Sequence, residues 1–422
     1  MNKELKRNIN NANMQVVKLI IILGAFFFAS MTILQIKGVT LSIVFQILFI
    51  IIALVNGDNL RIDGMEWIVY IGASLLITTI FAYSNDHMKE SYRGTAVYML
   101  VLILPTIVFA LLLNSIVDCK MVYAIRKSII IMANIQSFCG IMQYIFFKVF
   151  NIDIIALLGR EILGLENVNT ALRDGTISVS GLSFHAAVLA PLIAILFFMN
   201  ASIINRMLAI ILAVLSGNST ALIVLFACIC ISSIYGLIGK DRHISRKTCL
   251  LVFCLVLLII SLAIKYDLFM LFRFRVDRLL NRVVGGNVDA STIAHKRYFT
   301  EIFNVIFRGS IMRFLFGYGE GCSGYPFSLW YYQYRSLWNW AVECDVINIL
   351  LSRGVVGFIA YYGFLLSIVR KGFSIDKRYS FITLAIMAGG FTYNIQFEWV
   401  FLIMVLFYVC INNGINLFEK RT

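Results

Sequence analysis

An all-α, polytopic integral membrane protein is the fold class this sequence predicts, and three observations predict it. Of 422 residues, 60% are hydrophobic. Only 14% are charged, where a soluble domain carries roughly 25%, and mean hydropathy is +0.88. A soluble globular protein is excluded. Because a spanning helix needs ~20 apolar residues, the composition has room for about twelve transmembrane helices. The three prolines leave collagen, mucin and proline-rich linker readings without support.

Apolar windows place helices at 16–36, 38–56, 66–83, 96–113, 128–150, 182–199, 203–215, 219–238, 248–264, 346–369, 379–393 and 395–411. Several are short, notably 203–215 and the last two, which suits helices that tilt or lie partly buried in protein. The first window follows Lys3, Lys6 and Arg7. Its length and the lack of an Ala-x-Ala site predict a retained anchor, not a cleaved signal. Lys and Arg concentrate in alternate short loops, among them Lys240, Arg242, Arg246 and Lys247, then Arg370, Lys371, Lys377 and Arg378. The positive-inside bias therefore predicts that both termini are cytoplasmic. The formal net charge of +14 belongs to this anchoring, and no basic patch is left to track nucleic acid. Nine cysteines are spread singly, with neither zinc-type pairs nor a disulfide framework. Cys322 and Cys344 fall in or beside one loop, where an optional bridge could form.

Two outer segments break the pattern of tight connections, at 151–180 and 265–345. The organisation predicted is 1–264 for the first nine spans with outer loop 151–180, 265–345 for a small extracytoplasmic loop domain, and 346–422 for the last three spans and a cytoplasmic tail. Long ordered loops usually carry function, so the asymmetry favours work at the outer face.

The long loop opens with an amphipathic stretch. Phe269, Phe272, Val276, Leu279, Leu280 and Val283 share one helical face, and Arg275, Arg278 and Arg282 cluster on another. Such a helix lies along a membrane surface, where its guanidinium forks suit a lipid diphosphate or the headgroups of anionic lipid. AHKRYF then supplies His295, Lys296 and Arg297, followed by Arg308 and Arg313. Basic residues outnumber acidic ones in this loop, a field that attracts anionic substrates. GYGEGCSG at 317–324 lacks the Lys-Ser/Thr ending of a phosphate-binding P-loop. The aromatic run from Trp330 to Trp340 suits sugar stacking or a headgroup-level belt equally well.

Glu343 and Asp345 stand at the mouth of the tenth span, with Asn348 and Arg353 deeper. A carboxylate partly removed from water suits a general base; an Arg353 ion pair that locks helix packing is the plainer alternative. Arg173 precedes the sixth span, which opens with Ser183 and His185, and Glu398 is a further carboxylate between the last two spans. Glu343-x-Asp345 at helical spacing would splay its carboxylates about 200° apart, which favours one base over two metal ligands. No cofactor and no metal are expected.

Three motifs in order, an Arg followed by SGLSFHAAVLAPL, then LSGNSTALIVL, then FGYGEGCSG leading into ECDVINILLSRGVVGF, resemble the bacterial O-antigen polymerase (Wzy-type) and O-antigen ligase superfamily. They span residues 173–360. The resemblance implies a GT-C-like glycosyltransferase of the bacterial inner membrane, metal-independent, acting on undecaprenyl-diphosphate-linked oligosaccharide, with a chain-length regulator as partner protein. On that template Arg173 and Arg297 match the diphosphate-binding positions, and Glu343 or Asp345 the acceptor-side polar position. The catalytic candidates are then Glu343, Asp345 and His295, and the substrate-binding candidates are Arg173, His185, Arg275, Arg278, Arg297, Arg308 and Arg353. The turn Ser216-Gly217-Asn218-Ser219 departs from a pattern that often carries Arg. Glu343-Cys344-Asp345, in place of the ligases' His-Asn pair, favours polymerase over ligase. A lipid-linked oligosaccharide flippase is the reading from another class. It would need cations inside spans, where the windows place Lys18, Lys148 and Arg353.

Overall fold

The computed structural model describes residues 3–84, 90–165, 172–173, 176–200, 202–238, 290–330, 342, 344–391, 393 and 398–418. Among these the chain is helical almost throughout. The early helices are α1 (Lys3–Phe27), α2 (Leu41–Val55), α3 (Glu66–Tyr83), α4 (Glu90–Ile116) and α5 (Cys119–Phe150). After the short α6 (Ile154–Leu157) come α7 (Leu189–Phe198), α8 (Ile203–Leu215) and α9 (Ser219–Ile238). The remaining described helices are α10 (Ala290–Arg308), α11 (Ile311–Phe316), α12 (Gly324–Trp330), α13 (Asp345–Ile375), α14 (Lys377–Gly390) and α15 (Glu398–Asn412). Four described helices are long and apolar enough to cross a membrane: Glu66–Tyr83, Arg93–Ile116, Cys119–Phe150 and Asp345–Ile375. Six more are apolar but shorter.

The short helices are explained by what they bury. Every residue of α15 from Trp399 to Ile411 is buried. A helix apolar all round belongs inside the bundle, and α15 packs against α4 and α13. Between apolar helices in lipid, close approach matters more than water exclusion. Gly363 of α13 has the Trp67 ring of α3 where a Cβ would sit, and Gly72 of α3 receives Ile107 of α4. At the other face of the core, Lys18 of α1, itself buried, pairs with Asp58 beyond α2 at 2.5 Å.

Sequence windows and structure part company at several helix ends, and at three of them the local cause is visible. The first window runs to 36, yet α1 stops at Phe27 and the chain turns into a two-residue hairpin, with Gln35 opposite Thr40 and Ile36 opposite Val39. Lys37 and Gly38 both carry positive φ at its tip, as a type I′ turn requires. The fifth window begins at 128, but α5 begins at Cys119, capped by the Asp118 side chain accepting from Met121 N–H. A hydropathy window stops at a charge, whereas a helix continues through one when the charge finds a partner. Arg126 is thus buried within α5, donating to the Met199 carbonyl at 3.3 Å, a cation that the window left outside the span. The sixth window begins at 182, whereas α7 begins at Leu189 after a 3-10 turn, Ala186–Val188. The window at 248–264 lies outside the described residues.

Candidate functional site

The stretch ahead of α7 is irregular backbone buried in a helical bundle: Ile177, Ser178, Val179, Ser180, Gly181 and Ser183 are all buried. Such backbone survives away from water only when protein groups satisfy its amides and carbonyls. Two glutamines on one face of α5, two turns apart, do this. Gln143 Oε1 accepts from the N–H groups of Ser180 and Gly181, at 2.9 and 3.2 Å. Gln136 Oε1 accepts from Leu182 N–H at 2.7 Å, and its Nε2 donates to the Ser30 carbonyl at 2.7 Å. Ser183 donates to the same carbonyl at 2.6 Å, and Ile33 N–H donates to Leu182 O. On the other side Val179 N–H donates to Leu215 O, and the Ser178 hydroxyl to Ser216 O, in the turn between α8 and α9.

His185 closes this segment as the cap of the 3-10 turn, its Nδ1 accepting from Ala187 N–H at 3.1 Å. His185, which the sequence places at the opening of the sixth span, is thus a helix cap. With Nδ1 an acceptor, the neutral ring carries its proton on Nε2. The ring stacks on Tyr393, centroids 5.5 Å apart and planes within 7°.

A second irregular segment enters the bundle at 317–323, part of the loop expected to form an outer domain. Its partner is a break in α13, where Gly354 has φ 65° and ψ −171°. A helix carbonyl normally accepts from the N–H four residues on, so a break at Gly354 leaves carbonyls of the preceding turn without intrahelical donors. Tyr318 N–H donates to Leu351 O at 2.8 Å and Gly319 N–H to Ser352 O at 2.9 Å. The loop thus completes the broken helix. It is fixed further by Thr78 of α3, which donates to Phe316 O at 2.8 Å. Arg313 also donates to Gly317 O and to Phe81 O, each at 3.2 Å. Burial draws the Arg313 pKa below its usual value.

The two partners of this joint exchange a charge pair. Glu320 Oε2 lies 2.5 Å from Arg353 Nε, with both side chains buried. The Arg353 guanidinium also lies over the Tyr361 ring, 5.5 Å from its centroid. Beside the pair, Ser323 donates to Asn348 Oδ1 at 2.5 Å and accepts from Val342 N–H at 2.7 Å. Asp345 opens α13 and is buried, its Oδ2 packed over Gly390, where a Cβ would come within 2.8 Å. Cys344 Sγ faces the Phe391 carbonyl at 3.4 Å. Neither Cys322 nor Cys344 is in a disulfide, so the optional bridge is absent. Burial instead pushes the two thiols up to about 12 and about 11.

A small, partly open cleft beside Arg353 is lined by Ile71, Ile103, Tyr361, Glu398 and Phe401. Glu398, the first residue of α15, is thus brought to the same region as Arg353. Among the described residues no three His, Cys, Asp or Glu side chains are grouped as a metal site requires.

The structure brings the three sequence motifs into one connected region. Ser216 of the second touches Ser178 beside the first. His185 of the first stacks on Tyr393, and the adjoining Phe391 meets Cys344 of the third. Of the candidate residues, His185, Asp345 and Arg353 belong to this region. Arg308 ends α10, with its guanidinium over the Trp330 ring at 5.7 Å. The backbones of His295 and Arg297 lie in α10 and that of Arg173 in a two-residue strand, Leu172–Arg173, paired with Thr176–Ile177. The side chains of these three, and Glu343, Arg275 and Arg278 altogether, lie outside the described residues.

Sequence reasoning missed Gln136, Gln143 and Glu320. The glutamines carried a readable signal, two amides seven positions apart and so on one face of a mostly apolar span. Glu320 is a lone acid in a glycine-rich run, and its partner stands far along the chain. Comparison of the chain with models of known protein families and with curated proteins finds no match.

Proposed function

We propose that this chain is a membrane glycosyltransferase, an O-antigen polymerase that joins lipid-diphosphate-linked oligosaccharide repeat units at the outer face of a bacterial inner membrane. One observation supports the reading above the others: three motifs far apart in sequence join in one connected region, the first to the second through Ser178 and Ser216 and the first to the third through His185, Tyr393, Phe391 and Cys344. In this reading both termini are cytoplasmic, and a chain-length regulator is a partner.

The acceptor sugar hydroxyl attacks the anomeric carbon of the growing chain. The bond from that carbon to the diphosphate oxygen breaks, and the lipid diphosphate leaves as an anion. Guanidinium groups stabilise the charge that builds on the leaving oxygen; Arg173, Arg297, Arg275, Arg278 and Arg308 are assigned that role. The hydroxyl proton goes to Asp345, Glu343 or a histidine. His185 has a ring oriented by its bond to Ala187 and its stack on Tyr393, the kind of preorganisation that proton transfer needs. Arg353 has its Nε on Glu320, so its part is to order α13 beside Asp345.

The test is reconstitution. Purified protein given lipid-linked repeat units without ATP should yield long polymer. Transfer only to a lipid A core acceptor would make it a ligase, and translocation without bond formation a flippase.

A further inference from the structure

We propose that α10 and α11 form an in-plane segment seated in one leaflet of the bilayer, with Phe303, Phe307 and Ile311 against the acyl chains. This is independent of the glycosyltransferase reading. Successive residues of a helix advance by about 100°, and on that wheel α10 divides into three sectors. Tyr298, Ile302, Val305 and Ile306 share the first and are buried, packed with Phe327 and with Ile347 and Leu351 of α13. Phe299, Phe303 and Phe307 form the second, and all three are exposed, the last two by 66% and 75%. The third is polar: Thr300, Asn304 and Arg308 are exposed, and Glu301 accepts from Asn304 at 3.0 Å. A helix lying between a protein core and water needs only the first and third sectors. The second continues into α11, where Phe314 stacks on Phe307 and Ile311 is 71% exposed.

Depth identifies what covers the phenylalanine sector. Thr78, which holds the Phe316 carbonyl, stands five residues before Tyr83, the last residue of α3. At ~1.5 Å per residue, the end of α11 lies about 7 Å inside the end of α3, a helix long and apolar enough to cross a membrane. Ile347 and Leu351, which carry the buried side of α10, likewise belong to the first two turns of α13. An interfacial helix sinks its apolar face roughly 5–10 Å into the boundary between headgroups and acyl chains, so the two depths agree. At the same end of the bundle α3 exposes Ile80 and Tyr83. At the rim the Arg308 guanidinium lies over the Trp330 ring, a cation and an indole of the kinds that gather at headgroup level. The polar sector then faces headgroups and water.

Single cysteine substitutions test this on the full-length protein in vesicles of phosphatidylcholine and phosphatidylglycerol. The tryptic peptide 298–308 contains no native cysteine, so a thiol placed there is mapped without interference. Phe303 and Asn304 are both exposed, so neither substitution disturbs the core. A membrane-impermeant maleimide needs a thiolate in water, and Phe303→Cys should react at least ~10-fold less than Asn304→Cys. After denaturation in detergent the two should react equally. In the unmodified protein an apolar diazirine dissolved in the acyl chains should label Phe303 and Phe307 and spare the buried Val305. Equal maleimide yields at 303 and 304 in vesicles would put the phenylalanine sector in water. Silence of both probes at 303 would put protein against it, a second copy of this chain included. Either result overturns the proposal.

Discussion

Gly317 and Gly354 face each other across one joint, and the backbone leading into each fills the space that a side chain on the other would need. A Cβ on Gly317 would run into the Ser352 carbonyl, and one on Gly354 into the Leu315 carbonyl. Both also hold positive φ, 75° and 65°, which L side chains adopt at a cost. Gly354→Ala should therefore lower stability by about 3 kcal/mol or more, summing backbone strain and overlap. Gly94→Ala in α4, where nothing lies within 4 Å, should be neutral or stabilising by ~0.5–1 kcal/mol. Thermal unfolding monitored by size exclusion distinguishes the two.

Loss of one partner from the buried Glu320–Arg353 pair strands a charge. Glu320→Gln should cost about 3–5 kcal/mol. The double variant Glu320→Gln with Arg353→Met should recover most of that, since a buried pair exchanged for apolar packing is often close to neutral. A double-mutant cycle on unfolding midpoints measures the coupling.

Gln136→Leu leaves the Leu182 N–H without the acceptor that now meets it at 2.7 Å. A buried unsatisfied group costs about 1–3 kcal/mol, so the expected outcome is a lower unfolding temperature. His185→Ala removes a cap, worth about 1 kcal/mol, together with the stack on Tyr393, and in the proposed transferase it should abolish chain extension. Polymer ladders compared at equal membrane abundance would show it.

Asp376 caps α14, accepting from Arg378 N–H at 2.9 Å, with its carboxylate held at 2.7 Å by Arg378 Nη2. Burial alone would raise its pKa, but the Arg378 bonds outweigh it, and the pKa falls below the ordinary 3.8. A depressed carboxylate adds stability that is fully present above the unfolded value and is lost as pH falls through the folded one. Melts between pH 2 and pH 6 should show Asp376→Asn less stable than the parent at the upper end, the two curves converging at the lower.

Cys119 is exposed, whereas Cys322 and Cys344 are buried thiols with pKa values near 12 and 11. The thiolate is the reactive form. At pH 7.5 a maleimide should modify Cys119 and spare the other two until the protein is denatured, which peptide mapping reads directly.

Where a run is apolar and continuous, the residues announce the helix: the windows 66–83 and 219–238 coincide with α3 and α9. Where backbone is irregular they do not. The stretch from Ser180 to Phe184 reads as apolar enough for a helix start, and its true conformation depends on Gln136 and Gln143, more than thirty residues away. GYGEGCSG reads as a loop, but its burial depends on carbonyls at Leu351 and Ser352. The candidate site shares this limit. Asp345 and His185 are visible in the sequence as polar residues at helix mouths and Arg353 as a cation deeper in a span, while the acid that engages Arg353 is identifiable only through its distance.

The two glutamines of α5 also constrain how the chain can be assembled. The amides at 180–182 could not enter hydrocarbon alone, since lipid offers them no acceptor. The receiving helix must already stand in the bilayer, with its carboxamides waiting, before the later segment leaves water. Biogenesis then has an order, N-terminal hairpins first, and a chain interrupted before residue 143 would leave everything downstream without a place to dock.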